Sequence, residues 1–252
     1  MHRFFLPPEN IKNNKVEFPE PIVRQLRNVL RLKPGDLVQV LDNKGSLFTV
    51  KLEIMDARSA QGTIIEKNMA IGEPKINIHL YFSLSQREKM EWILQKCTEI
   101  GVTAFTPFVS TYSLSREKGL DASKVRRWEK IIQEAAEQCG RAHIPDLNDL
   151  LDFSKAIKKI SSKKDINLAA WEGEKQNNLR TVLAMVQSNL LVMKKVNLLI
   201  GPEGGFTENE VMQMKTAGCL TFSLGERILR METAAMAASA QILFELEDSV
   251  WQ

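Results

Sequence analysis

The segment from 196 to 233 limits the possible folds of this chain more than any other. Val196-Asn197-Leu198-Leu199-Ile200 is a short apolar run of strand type. It breaks into Gly201-Pro202-Glu203-Gly204-Gly205-Phe206, where glycines permit positive φ and close approach of a ligand to the backbone. Thr207 followed by Glu210 is a capping-box pattern and predicts a helix start. Val211, Met212 and Met214 continue that helix, and Gly218 ends it. Cys219 to Leu224 reads as the next strand, and a second glycine loop opens at Gly225. A strand, glycine loop, helix, strand and second loop in this order call for a mostly parallel sheet. Two such loops at neighbouring strand ends can line one small-molecule pocket. A Walker loop is excluded, because Phe206 stands where Lys is required. A dinucleotide fingerprint is excluded by glycine spacing and by position late in the chain. For either loop taken alone, a structural turn remains the competing reading.

The same alternation runs upstream to residue 75. Ile76, Ile78, Leu80 and Phe82 alternate as on a strand. Met90, Ile93, Leu94 and Cys97 share one face of a helix over 89–100, stopped by Gly101. A strand follows over 102–109 and a longer helix over 121–139, ended by Gly140. Residues 167–171 are strand-like and 179–191 helical. Ligands of such sheets bind beyond the carboxyl ends of the strands, which places both glycine loops there.

Residues 1–72 read differently, as a small β-rich domain. Glu20-Pro21 begins a short helix, with Val23, Leu26 and Leu30 on its apolar side and Arg24, Arg27 and Arg31 sharing the other. Strands follow over 37–41, 47–55 and 61–67, with a tight turn at Asp42-Asn43-Lys44-Gly45. Short strands at this spacing suggest a compact barrel. Residues 71–74 have the composition of a linker, so two domains are expected, 1–72 and 73–252.

Net charge is +3, from 34 basic and 31 acidic side chains. The excess lies within residues 1–75, which hold 12 Lys/Arg against 9 Asp/Glu. A nucleic-acid partner would therefore favour the front of the chain; a solvated arginine face is the alternative. The 44% hydrophobic content supports a core. No apolar run approaches the length of a membrane span. Cys97, Cys139 and Cys219 are far apart without a CxxC pair, as expected for free thiols in a cytoplasmic protein. His2, His79 and His143 are isolated, so no metal site is expected.

Five ordered motifs carry a resemblance. They are Arg3-Phe4-Phe5; Val29-Leu30-Arg31 with Gly35-Asp36; Lys89-Met90-Glu91-Trp92 through Glu99-Ile100-Gly101-Val102; and Glu134 to Arg141 before Pro145. The fifth joins Ile200-Gly201-Pro202-Glu203-Gly204-Gly205-Phe206 to Leu224-Gly225 and Arg227-Ile228-Leu229-Arg230-Met231-Glu232-Thr233-Ala234. Together they closely resemble the RsmE family, SPOUT-class enzymes that methylate N3 of a uridine in small-subunit ribosomal RNA.

The resemblance implies an α/β domain of SPOUT type with a C-terminal trefoil knot, preceded by a PUA-like RNA-binding β-barrel. It implies S-adenosylmethionine as cofactor, ribosomal RNA of the small subunit as partner, and a homodimer. On that basis the cofactor candidates are Trp171, Glu172, Leu199, Ile200, Gly201, Gly204, Gly205, Leu224, Gly225, Ile228 and Leu229. The catalytic candidates are Arg230, Arg227 and Glu232. Loss of the uracil N3 proton leaves negative charge on the base, and a fixed cation would stabilise it. Glu232 would orient Arg230 or help remove the proton, and Glu203 would hold its loop by accepting backbone N–H bonds. Arg3, Arg24, Arg27 and Arg31 are the RNA-binding candidates. One stretch departs from the family: Ser110-Thr111-Tyr112-Ser113 occupies a place where an arginine is usual, leaving Tyr112 to act by stacking and Arg116 to compensate. The competing readings are a non-catalytic RNA-binding or ribosome-assembly factor, and a SPOUT enzyme acting on another RNA such as transfer RNA.

Overall fold

A computed structural model describes residues 1–117, 119–161, 165–190 and 195–246. They form two compact units, Met1–Glu73 with Gln133–Ile144, and Pro74–Ile132 with Pro145–Gln252.

In the first unit the strands are β1 (Arg3–Phe5), β2 (Ile11–Lys12), β3 (Lys15–Phe18), β4 (Leu37–Leu41), β5 (Ser46–Met55) and β6 (Ala60–Met69). They form one sheet in the order β1-β4-β5-β6-β3-β2. Only the β1–β4 pair is parallel. Successive residues of β1 face opposite sides: Phe4 enters a core with Val16, Phe18, Val38, Val40 and Leu52, whereas Phe5 packs with Leu41 and Ala136. The β4–β5 turn forms where expected. Asp42 Oδ1 accepts the amides of Lys44 (2.8 Å) and Ser46 (3.0 Å), and Asn43 and Gly45 take positive φ.

The predicted early helix starts where expected but ends sooner. The α1 helix covers Glu20–Arg24 and gives way to a π-helical turn over Gln25–Val29. Arg31 lies beyond it, with φ of 55°. A stripe of Arg24, Arg27 and Arg31 assumes 100° per residue over seven positions; the wider π turn and the left-handed residue after it break that register. Arg24 pairs with Glu20 (2.6 Å), and Arg27 donates to the Asp56 carbonyl (2.9 Å).

Residues 71–74, with the composition of a linker, are tied down at Glu73. Its carboxylate receives the Arg141 guanidinium (2.8 Å) and the amides of Ala142 (2.8 Å) and His143 (3.0 Å). Burial opposes ionisation of Glu73, but the Arg141 hydrogen bond and charge outweigh it and lower its pKa.

The second unit contains β7 (Asn77–Ser83), α2 (Arg87–Ile100), β8 (Val102–Val109), α3 (Ala122–Cys139, ending in the first unit), β9 (Asp146–Leu147) and β10 (Leu151–Asp152). There follow α4 (Phe153–Ile160), β11 (Ile166–Ala170), α5 (Leu179–Leu190), β12 (Lys195–Ile200), α6 (Glu208–Thr216), β13 (Leu220–Phe222) and α7 (Met231–Leu246). The helix end expected at 191 lies outside the described residues. Sheet order is β10-β8-β7-β12-β11-β13, with β9 on β8, and every pair is parallel. This is the parallel α/β sheet expected from the alternating pattern.

Both faces of the sheet are covered. Tyr81, Ala169 and Leu199 pack with Phe153, Ile157 and Ile160 of α4 and with Val211 and Met214 of α6. On the opposite pleat Phe82 meets Trp128 of α3, and α7 lies against β7, β12 and α2. Burial on both sides explains why His79 is enclosed too. It bonds Thr106 Oγ1 (2.7 Å), and burial holds its pKa down at about 3, so the ring is neutral.

Candidate active site

Strands β12, β11 and β13 are neighbours in the sheet, so the segments leaving their carboxyl ends converge. A cavity of about 390 Å³ opens there, within the size range of small-molecule sites. Its walls are Ala170 to Glu172 after β11, Ile200 to Phe206 after β12, and Ser223 to Met231 after β13, with Ala234 of α7.

The loop after β12 has the conformation that its glycines permit. Gly205 takes φ of 72°, and a Cβ there would collide with Glu172 Oε1. A Cβ at Gly201 would lie 2.9 Å from the Phe206 ring. That ring is buried between Phe108 and Phe153 and cannot yield. The capping box expected at Thr207 is formed in both directions. Glu210 also reaches across, Oε1 accepting the amide (2.9 Å) and hydroxyl (3.0 Å) of Thr111 after β8. The start of α6 and the loop after β8 are thus joined through one buried carboxylate.

Glu203 anchors its loop, by other donors than expected. Its carboxylate accepts from the side chains of Ser85 and Lys89, the latter at 2.6 Å, because the loop after β12 lies beside the entry to α2. Burial raises its pKa, but the hydrogen bonds from Lys89, Ser85 and its own amide prevail, and the net shift is downward. Glu174 anchors the loop after β11 in the same manner, accepting from Thr221 Oγ1 (2.6 Å) and the Gln176 amide (2.9 Å). Burial raises its pKa and these bonds more than reverse that.

Of the candidates from sequence, Trp171, Glu172, Ile200, Gly201, Gly204, Gly205, Leu224, Gly225, Arg227, Ile228, Leu229 and Arg230 line the cavity. Leu199 does not. It is fully buried with Tyr81 and Ala169, one pleat away from the lining. Glu232 lies on the first turn of α7, between lining residues Met231 and Ala234, and its Oε2 is buried without a hydrogen-bond partner. Arg227 and Arg230 are exposed. Pro202, Phe206, Ser223, Glu226 and Met231 also line the cavity but were not singled out from sequence; only their position inside or next to the two glycine motifs marked them. In the first unit, Arg3 is engaged internally, donating to Gln39 Oε1 (3.0 Å).

Most residues of the lining are apolar or glycine, and a Cβ at Gly225 would point into open space. Three carboxylates, Glu172, Glu203 and Glu226, and two arginines complete it.

The family of RNA methyltransferase domains matches residues 72–243, and the RNA methyltransferase PUA domain matches residues 22–65. Ribosomal RNA small subunit methyltransferase E of Bacillus subtilis is 33% identical over 228 residues, 89% of this chain and 88% of that protein. The chain belongs to the ribosomal RNA small subunit methyltransferase E family. A crystal structure of the Neisseria gonorrhoeae family member, bound to S-adenosyl methionine, matches with a TM-score of 0.86 and 32% identity, covering 97% of this chain and 98% of that one. The structure of a putative methyltransferase from Legionella pneumophila, in complex with the same cofactor, matches with a TM-score of 0.80 and 26% identity, covering 97% and 98%. The parallel α/β domain and the N-terminal PUA domain are thus the architecture of this family.

Proposed function

We propose that this chain methylates N3 of a uridine in small-subunit ribosomal RNA, using S-adenosylmethionine. The observation that carries the reading is the cavity beyond β11, β12 and β13, lined by both glycine loops and two arginines. When bound, S-adenosylmethionine supplies an electrophilic methyl group on a sulfonium. Backbone of Ile200, Gly201, Leu224 and Gly225 is suited to its adenine, and the Glu172 carboxylate to a hydroxyl or the cationic end. The chain's own contribution to the chemistry would be electrostatic stabilisation together with acceptance of a proton. As uracil N3 loses its proton, Arg230 would hold the developing negative charge, with Arg227 as second cation. An arginine stays charged at working pH, so the proton acceptor must be another group. Glu232, with an unsatisfied carboxylate oxygen beside the cavity, is the candidate.

The first unit would supply RNA affinity through Arg24, Arg27 and Arg31, acting as separate phosphate contacts and not as one helical stripe. We propose further that the chain works as a homodimer and that its C-terminal segment is knotted. Ile228, on a cavity loop, and Phe244 of α7 are 87% and 82% exposed, which a second copy would cover. The return of the chain from edge strand β13 to α7 against β7 and β12 supports the knotted reading.

The test is methyl transfer from labelled cofactor to small ribosomal subunits lacking the modification, with the product nucleoside identified by mass spectrometry. N3-methyluridine in the small-subunit RNA is the expected product. Its absence, or methylation of transfer RNA instead, would overturn the reading.

A further inference from the structure

The loop after β8 holds one side chain in an unusual setting. Ser110 and Ser113 are buried, with Ser113 Oγ 2.6 Å from Ser83 Oγ at the end of β7 and accepting the Ser110 amide at 2.8 Å. Thr111 is fastened to Glu210, as described above. Between these pinned residues, Tyr112 is 53% exposed. Its base is fixed as well: a Cβ at Gly204 would lie 2.9 Å from Tyr112 Cβ and 3.4 Å from Cγ. Gly204 lines the cavity, so the absence of a side chain there makes room for the tyrosine against the cavity wall. Among the described residues the ring stacks on no other aromatic side chain.

A large ring held at its root, half exposed and in contact with no other aromatic ring among the described residues, suits a planar, uncharged partner. Stacking on a nucleobase is sequence-tolerant and needs no hydrogen bond. We propose that Tyr112 is the surface on which the target nucleobase stacks as it enters the cavity. This rests on the reading of the chain as an RNA methyltransferase acting at this cavity. A base drawn into a pocket loses the stacking of its neighbours, and Tyr112 replaces part of it. Because Ser110, Thr111 and Ser113 fix the loop, the ring is presented without ordering a flexible segment first. The tyrosine hydroxyl has no part in this role.

The test uses the full chain with Tyr112→Phe, Tyr112→Trp and Tyr112→Leu. Single-turnover methyl transfer is measured on small ribosomal subunits lacking the modification, together with S-adenosylmethionine affinity by calorimetry and thermal melting. The phenylalanine and tryptophan variants are expected within about twofold of the unaltered protein. The leucine variant is expected to lose about tenfold or more in single-turnover rate at subsaturating subunit concentration, with cofactor affinity and melting unchanged, as loss of one stacking partner predicts. Full activity of Tyr112→Leu, or a loss that phenylalanine and tryptophan share with it, would overturn the assignment. A drop in cofactor affinity parallel to the loss of rate would also overturn it, by making the role structural. If the unaltered protein transfers no methyl group to the subunits, the underlying reading fails and the assignment falls with it. If it is active and Tyr112→Leu is equally active, the assignment alone fails.

Discussion

Lys89 Nζ lies 2.6 Å from Glu203 Oε1, joining the first turn of α2 to the loop that walls the cavity. Both side chains are about a quarter exposed, 24% and 25%, so the pair is only partly screened. Its effect is to hold a glycine-rich loop in one position before any ligand arrives. Loss of one charge-assisted hydrogen bond at such a site costs about 1 kcal/mol. Lys89→Met and Glu203→Gln are therefore each expected to weaken S-adenosylmethionine binding about fivefold in calorimetry, without a change of fold. The pH dependence follows from the direction of the shift. The folded pKa of Glu203 lies below its ordinary 4.5, so the stabilisation is complete above that value. It is lost as pH falls from there through the folded pKa. Equal affinities in the variants would mean that the loop is held by its glycines alone.

Gly201 is irreplaceable for a steric reason. Any Cβ meets the Phe206 ring at 2.9 Å, and that ring is clamped by Phe108 and Phe153. Gly201→Val should lower cofactor affinity by at least tenfold and lower the melting temperature, since overpacking costs about 1–3 kcal/mol. Calorimetry and thermal melting give both readings, and an unaltered affinity would place the cofactor elsewhere.

Arg230 is expected to act in the chemical step and not in cofactor binding. Its alanine variant should lose on the order of 10²-fold in single-turnover rate, as for removal of one transition-state donor. Arg230→Lys keeps charge without the planar fork and should recover only part of that loss. A near-normal rate for the alanine variant would shift the role to Arg227.

Glu73 and Arg141 make the buried ion pair of the first unit, with the Arg141 side chain only 3% exposed. Removing the carboxylate takes the ion-pair partner from a buried guanidinium and the acceptor from two backbone amides. Glu73→Ala should destabilise the first unit by about 3 kcal/mol in denaturant unfolding. Because the folded pKa of Glu73 is lowered from 4.5, this stabilisation is full above that value and fades as pH falls below it. A variant as stable as the unaltered protein would show the pair to be dispensable.

What was legible in the sequence was local. The strand over 102–109, the capping box at Thr207 and Glu210, and the apolar face of α2 at Met90, Ile93, Leu94 and Cys97 depend on nearest neighbours and on periodicity, and each forms as the pattern requires. The α4 helix also carried a legible signal in the spacing of Phe153, Ala156, Ile157 and Ile160, although its short length hid it among loop residues. The arginine stripe was illegible because a π turn, formed where Val23 and Leu26 enter the core of the first unit, changes the angular register that the spacing assumes.

The chain by itself determined its strands of five or more residues, where its loops turn on glycine and which side chains stand near them, because backbone geometry and side-chain period are written residue by residue; the two- to four-residue strands β1, β2, β3, β9 and β10 were too short to show a period. Tertiary structure alone decided that β11 lies between β12 and β13, so that residues 170–172, 200–206 and 223–231 share one cavity. It also decided that Glu203 takes Lys89 and Ser85 as partners across more than a hundred residues, and that Tyr112 abuts Gly204. Such pairings arise from sheet order and from which loops then meet at the strand ends, and no local spacing encodes either.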